Sequence, residues 1–190
     1  YLTMVSRLHN FDGSMTDPAS QVIYAEYRDA GTANASLPVI TRTEQMNATA
    51  AAAAVEAYNK SAPAGTGATL LNMYYQYRGD SILQPVERVP ALQHYRLVHE
   101  TPKNVFSNVG ANGPDLKAVK IFEYVPGAHI KGNGIIEVPI TTNAGRTFTY
   151  RQESVNGEFV VPYATSGWSG EVKTTGPYRI VGTGQTFDVT

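Results

Sequence analysis

From residue 118 to the C-terminus the sequence is built of short runs of β-branched and aromatic residues, each closed by turn residues. Residues 119–125, 135–140, 147–154, 158–163, 171–174, 178–181 and 186–189 each read as a strand. Asn143-Ala144-Gly145 marks one turn, and Asn156-Gly157 is the strongest short hairpin signal in the chain. It predicts a hairpin joining 147–154 to 158–163, because both central positions of a two-residue turn favour positive φ. Strands this short and this regularly punctuated fit a small antiparallel sandwich or barrel.

The text upstream of residue 105 differs. Leu2, Val5 and Leu8 recur at helical spacing and predict a helix over 1–10, closed by Asp12-Gly13. Residues 21–29 alternate irregularly and read as a strand, and Asp17-Pro18 disfavours helix just before it. A helix is expected over 41–60. Thr41 and Glu44 have the spacing of a capping box, and the alanines from Ala50 to Ala54 have the highest helix propensity. Met46, Ala50, Ala54 and Ala57 would share its packed face, with Pro63, Gly65 and Gly67 ending it. The run 69–77 is too short to assign by period. Residues 91–101, between Pro90 and Pro102, read as a strand. Tyr95, Leu97 and His99 would lie on one side, with His94, Arg96 and Val98 on the other. The stretch 104–115, with Gly110 and Asn112-Gly113-Pro114, is the best boundary. The expected fold is α+β: a mixed, partly helical core segment over 1–104, then a small antiparallel β-sandwich or barrel over 105–190.

Composition removes several function classes. There is no cysteine, hence no disulfide scaffold, thiolate metal site or cysteine nucleophile. The net charge of −1 supplies no bulk attraction to nucleic acid or an anionic membrane. No apolar run approaches the roughly 18 residues of a membrane span. Charged residues make up only 16 % while tyrosine reaches 12, a balance common in exported proteins. Tyr1 opens the chain with no initiator methionine and no signal peptide, so a piece of a longer polypeptide is expected.

No catalytic constellation is legible. His9, His94, His99 and His129 are scattered without the spacing of a metal pair, and surface or core hydrogen bonding is the expected role of each. Gly65-Thr66-Gly67 lacks the strand, third glycine and lysine of a phosphate loop. No serine sits in a Gly-x-Ser-x-Gly elbow. Asp12, Asp17, Glu26, Asp29, Glu100 and Glu123 are candidate carboxylates by residue type alone, because no pairing is readable. Asp12 is expected to stop the first helix. Arg96 and Glu100 are expected to pair with each other or with neighbouring charges on an exposed strand. The only tryptophan, Trp168 in Ser166-Gly167-Trp168-Ser169-Gly170, is suited to stacking on a sugar or to plugging a local core. Asn34, Asn47 and Asn59 each open an Asn-x-Ser/Thr triplet, the acceptor of N-glycosylation when such a chain faces the outside.

Longer phrases are more informative than any of these. In order they are RLHNFDGS (7–14), ALQHYRLVHETP (91–102), VKIFEYVPGAHIKG (119–132), TTNAGRTFTYRQ (141–152), GEFVVPYAT (157–165) and GPYRI (176–180). As a set they resemble the C-terminal globular domain of the archaeal oligosaccharyltransferase catalytic subunit. The resemblance implies an enzyme that moves a lipid-linked oligosaccharide onto the asparagine of Asn-x-Ser/Thr. It implies a preceding multi-pass transmembrane domain of the same chain, whose acidic residues hold a divalent metal, Mn or Mg. It implies a location on the extracytosolic face of the membrane. In that family a Trp-Trp-Asp-Tyr-Gly motif and a short Asp-x-x-Lys or Met-x-x-Ile motif both precede the counterpart of RLHNFDGS. Neither occurs here: Trp168 has the wrong context, and Asp115-Leu116-Lys117 has the wrong spacing. The chain is therefore expected to begin downstream of both. It would carry no catalytic, cofactor-binding or metal-binding residue of its own, leave substrate contacts unassigned, have no nucleic-acid partner, and be structural and inactive in isolation. The rival expectation is a cell-surface binding module whose β-domain recognises carbohydrate or protein.

Overall fold

The structure is a computed structural model and describes residues 2–26, 39–71, 76–77, 80–81, 88–105 and 116–190. The chain divides into two units: 1–16 with 88–190, and 17–87 inserted between them. The first unit opens with α1 (Met4–Phe11). The inserted unit holds β1 (Ala19–Glu26), β2 (Val39–Asn47), α2 (Ala48–Ser61), β3 (Thr66–Leu71), β4 (Gln76–Tyr77) and β5 (Asp80–Ser81). The first unit resumes with β6 (Tyr95–Glu100), β7 (Lys120–Tyr124), β8 (Ala128–Lys131), β9 (Ile135–Thr141) and β10 (Thr147–Glu153). It ends with β11 (Glu158–Val161), β12 (Lys173–Thr174), β13 (Tyr178–Ile180) and β14 (Thr186–Phe187). The fold is α+β, every strand pairing is antiparallel, and no barrel closes among the described residues.

In the inserted unit β1 is central, flanked by β2 and β3. Val22, Tyr24, Ala51 and Ala68 form its small core, with Ala54, Val55 and Tyr58 of α2 packed against it. The tyrosines meet edge to face, Tyr24 on Tyr58 at 4.8 Å. The helix expected over 41–60 is two elements. Residues 39–47 are a strand in register with β1, and α2 starts only at Ala48. Asn47 is its N-cap, accepting from the Ala50 N–H at 2.8 Å. The Thr41–Glu44 pair caps nothing: Thr41 donates to the Tyr24 carbonyl, and Glu44 accepts from the Tyr24 hydroxyl. β-branched Val39, Ile40, Thr41 and Thr43 suit a pleated strand, and once β1 supplies a partner that preference prevails.

The β-rich unit has one core. Ile136, Val138 and Ile140 of β9, Tyr150 of β10, and Tyr178 and Ile180 of β13 pack against Leu97 of β6, Ile130 of β8, and Phe159 and Val161 of β11. The strands from 119 to 189 form close to the expected positions, with β8 added. The hairpin expected at Asn156-Gly157 is a turn only. Asn156 (φ 54) and Gly157 (φ 78) adopt the expected left-handed turn, closed by a lone Val155–Glu158 bridge. Yet β10 pairs with β9, and β11 pairs with β8. The chain changes sheet at this turn because Phe159 and Val161 must cover the core from the opposite side.

The two units do not meet at residues 104–105. β6 pairs with β7 across that position, and α1 belongs with the β-rich unit. The strand alternation expected over 91–101 is also interrupted. The β6–β7 register shifts between Leu97 and His99, so Leu97 and Glu100, three apart, are both buried. A bulge of this kind moves the next side chain to the other face.

Candidate functional site

The most concentrated chemistry in the β-rich unit is a buried set of four charges. Each is placed by a local rule. Thr3 caps α1, its hydroxyl accepting from the Ser6 N–H at 3.3 Å. The helix ends on Asp12 in the left-handed conformation (φ 55), its N–H donating to the Leu8 carbonyl at 3.1 Å, and Gly13 follows at φ 71, its N–H donating to the Arg7 carbonyl at 2.9 Å. A short polar side chain tolerates that conformation. The ending turns the Asp12 carboxylate inward. Glu100 ends β6 just after the bulge. Lys120 opens β7. Arg146 closes the turn between β9 and β10, where Thr142 and Arg146 bond through their backbones.

Arg146 donates to both carboxylates. One terminal nitrogen bonds Asp12 Oδ2 at 2.8 Å. The other bonds Asp12 Oδ1 at 2.8 Å and Glu100 Oε2 at 2.6 Å. Nε reaches both Glu100 oxygens at 3.1 Å. Lys120 Nζ donates to Asp12 Oδ1 and to the His9 carbonyl, each at 2.8 Å. Thr142 Oγ1 donates to Glu100 Oε1 at 2.6 Å. Asn143 clasps the Glu100 backbone, accepting from its N–H at 2.9 Å and donating to its carbonyl at 2.8 Å. The Glu100 side chain is wholly buried and that of Lys120 is 2 % exposed.

Two anions face two cations, so the group is neutral. Burial would lower the pKa of Arg146, but hydrogen bonds to Asp12 and Glu100 outweigh it and raise the pKa. Burial does lower that of Lys120, only partly opposed by Asp12. Every charge is held by a fixed partner in low dielectric, where an unpaired charge is most costly. Such a cluster, with each member buried and bonded to an opposite charge, is built to hold the fold together. It fastens α1, β6, β7 and the β9–β10 turn to one another. Nor does it fit a divalent cation, because Asp12 and Glu100 already spend their oxygens on Arg146, Lys120 and Thr142. Among the described residues no three histidine or acidic side chains gather elsewhere.

The other candidates do not converge. His9 Nε2 lies 3.1 Å from the Lys117 carbonyl, and His94 Nδ1 faces the Val125 and Pro126 carbonyls. His99 pairs with Glu171 at 2.7 Å and His129 with Glu158 at 3.2 Å. Arg96 and Glu100 are both paired, though not with each other: Arg96 takes Glu123 at 2.7 Å and Glu100 takes Arg146. Glu100 is not the exposed strand charge expected. Asp17 and Glu26 belong to the inserted unit, and Asp29 lies outside the described residues. Gly65 and Gly67 sit in the turn after α2 and the start of β3. The Trp168 ring is covered by the Arg96 guanidinium at 3.7 Å, and its Nε1 donates to the Val172 carbonyl at 2.9 Å. A Cβ on Gly170 would come within 2.2 Å of the ring. This indole is built into the fold. Beside it, a groove of about 310 Å³ runs between 125–128 and 161–164.

Sequence reasoning missed the four-charge cluster, although its members sit in the phrases that carried the resemblance. Asp12 lies in RLHNFDGS, Glu100 in HYRLVHE, Lys120 in VKIFEYVPGA, and Thr142, Asn143 and Arg146 in TTNAGRT. The one or two formal charges in each phrase were the available signal.

Residues 127–190 match the family of the archaeal glycosylation protein B long peripheral domain. The match takes in TTNAGRTFTYRQ, GEFVVPYAT and GPYRI. A curated relative is the dolichyl-monophosphooligosaccharide–protein glycotransferase AglB of Haloferax volcanii. It is 32 % identical over 115 aligned residues, spanning 44 % of this chain and 11 % of the relative. Two solved structures of the Archaeoglobus fulgidus oligosaccharyltransferase are also similar. One is in complex with an inhibitory peptide and a dolichol-phosphate (17 % identity, TM-score 0.41). The other is tethered to an acceptor peptide containing an NVT sequon (18 %, TM-score 0.43). In both, the likeness covers 88 % of this chain and 25 % of that one. The chain spans between a tenth and a quarter of the length of these relatives. Among the described residues no helix is long and apolar enough to cross a membrane.

Proposed function

We infer that this chain is a peripheral, non-catalytic part of a membrane oligosaccharyltransferase. The parent enzyme would carry an oligosaccharide from a polyprenyl-phosphate carrier to the asparagine of Asn-x-Ser/Thr, on the extracytosolic face. The observation that carries the reading is the family match over residues 127–190, in a unit whose buried Asp12, Glu100, Lys120 and Arg146 are paired with one another. The curated relative points the same way, since its name is that of this reaction. The metal-holding acids, the lipid-linked donor and the hydroxyl-reading motif would belong to the part of the enzyme outside this chain, including its transmembrane domain. This part would supply architecture: a rigid unit pinned by Arg146, carrying an inserted unit between Thr16 and Arg88.

The experiment is transfer to a sequon peptide with lipid-linked oligosaccharide and Mn or Mg. The purified chain is expected to give none, and transfer by it alone would overturn the reading. The rival carbohydrate-binding module is less favoured, because Arg96 already covers one face of the Trp168 ring.

A further inference from the structure

Two Asn-x-Ser/Thr triplets fall within the described residues, one at each end of α2 of the inserted unit, and the structure treats their side-chain amides differently. Asn59, in the last turn of α2, spends both ends of its amide on one residue. Nδ2 donates to the Ala68 carbonyl at 2.9 Å, and Oδ1 accepts from the Ala68 N–H at 2.8 Å. Asn47 stands at the other end as the N-cap, with extended backbone (φ −63, ψ 156). Its Oδ1 accepts from the Ala50 N–H at 2.8 Å, while Nδ2 has no partner among the described residues. Asn47 and Thr49 are both exposed.

N-glycosylation joins the sugar to Nδ2 and leaves Oδ1 an acceptor. The Asn47 cap therefore survives modification, because it uses only the oxygen. The Asn59 clasp does not survive, because pairing both amide ends with Ala68 uses the Nδ2 proton on the Oδ1 side, the position that the sugar takes in a trans N-glycosidic amide. We propose that Asn47 is an N-glycan acceptor of the folded inserted unit and that Asn59 is not. This rests on the extracytosolic location proposed above. The step is a glycosyl transfer from a polyprenyl-phosphate-linked oligosaccharide. The sugar C1–O bond breaks, and its electron pair stays on the departing lipid phosphate. The C1–Nδ2 bond forms, and one amide proton leaves to a base.

The test is glycopeptide mass spectrometry on the full-length protein from host membranes, in cells whose other surface proteins carry N-glycans. Cleavage after Glu44 and Glu56 places Asn47 and Asn59 on separate peptides. Glycan mass is expected on the Asn47 peptide and none on that of Asn59. Thr49→Ala, which keeps the capping asparagine, and Asn47→Asp, which keeps a capping oxygen, should each abolish it with helix α2 intact. Glycan on Asn59, or none on Asn47, would overturn the proposal. Intact cells are labelled in parallel with an impermeant amine reagent read at Lys60, whose side chain is 72 % exposed. Label without glycan sinks the proposal and leaves the external location standing. Neither label nor glycan sinks both.

Discussion

Arg146 is where the buried polar contacts of the β-rich unit converge. Removing it as Arg146→Met strands Glu100, which has no other cation, and leaves Asp12 with Lys120 alone. A cost of about 3–5 kcal/mol is expected, measured by urea unfolding of the chain, because breaking a buried pair leaves an uncompensated charge. Glu100→Gln combined with Arg146→Met should cost less than the sum of the single changes. Additive costs would show that the two side chains are not coupled. A second expectation concerns alkaline pH. Burial raises the pKa values of Tyr150, Tyr163 and Tyr178 above the ordinary 10. Once pH passes about 10 the unfolded chain releases these phenolic protons while the folded chain keeps them, so stability falls with pH. Lys120 acts in the opposite sense. Its lowered value makes the unfolded chain the better proton binder below 10.5, but it is one group against three. Urea midpoints between about pH 9 and 12 should therefore decline, and less steeply in Tyr178→Phe.

At the scale of elements, α2 is the sharpest case. A capping box at Thr41 and a cap at Asn47 are both reasonable from local chemistry, but only Asn47 lies where the strand ends. Asn47→Ala should cost about 1 kcal/mol and fray the first turn of α2, read by amide hydrogen exchange at Ala50 and Ala51. Thr41→Ala should leave that exchange unchanged. The Asn156-Gly157 turn shows how far local chemistry reaches. It sets two positive φ angles, and Gly157→Ala should cost roughly 1 kcal/mol by strain at φ 78. It does not set which strands the turn joins. That follows from Phe159 and Val161 sharing one buried core with Ile136 and Val138, long-range packing that no hairpin signal contains.

For the whole molecule, Thr16 and Val89 form an antiparallel bridge with paired backbone bonds of 3.0 and 2.9 Å, so the inserted unit leaves and rejoins at adjacent points. Replacing 17–87 by a short Gly-Ser turn should leave a cooperatively folding unit, checked by a single urea transition. Residues 106–190 alone should fail that test. They lack Asp12 and Glu100 for Arg146, the Leu92 carbonyl for Tyr150, and the Leu97 N–H that donates to Tyr163. What the sequence by itself determined was local or carried by phrase. The first helix with its Asp12 stop, most strand positions after 118, the left-handed turn at Asn156-Gly157 and the family resemblance all rest on neighbouring residues. What only the tertiary structure decided was non-local. It made residues 39–47 a strand because β1 lay beside them. It separated β10 from β11 because the core had two sides to cover. It joined Asp12 to Arg146 across 134 positions. Hydrogen-bond and Coulomb partners are chosen by distance in space, and spacing along the chain records that distance only within a turn or a hairpin.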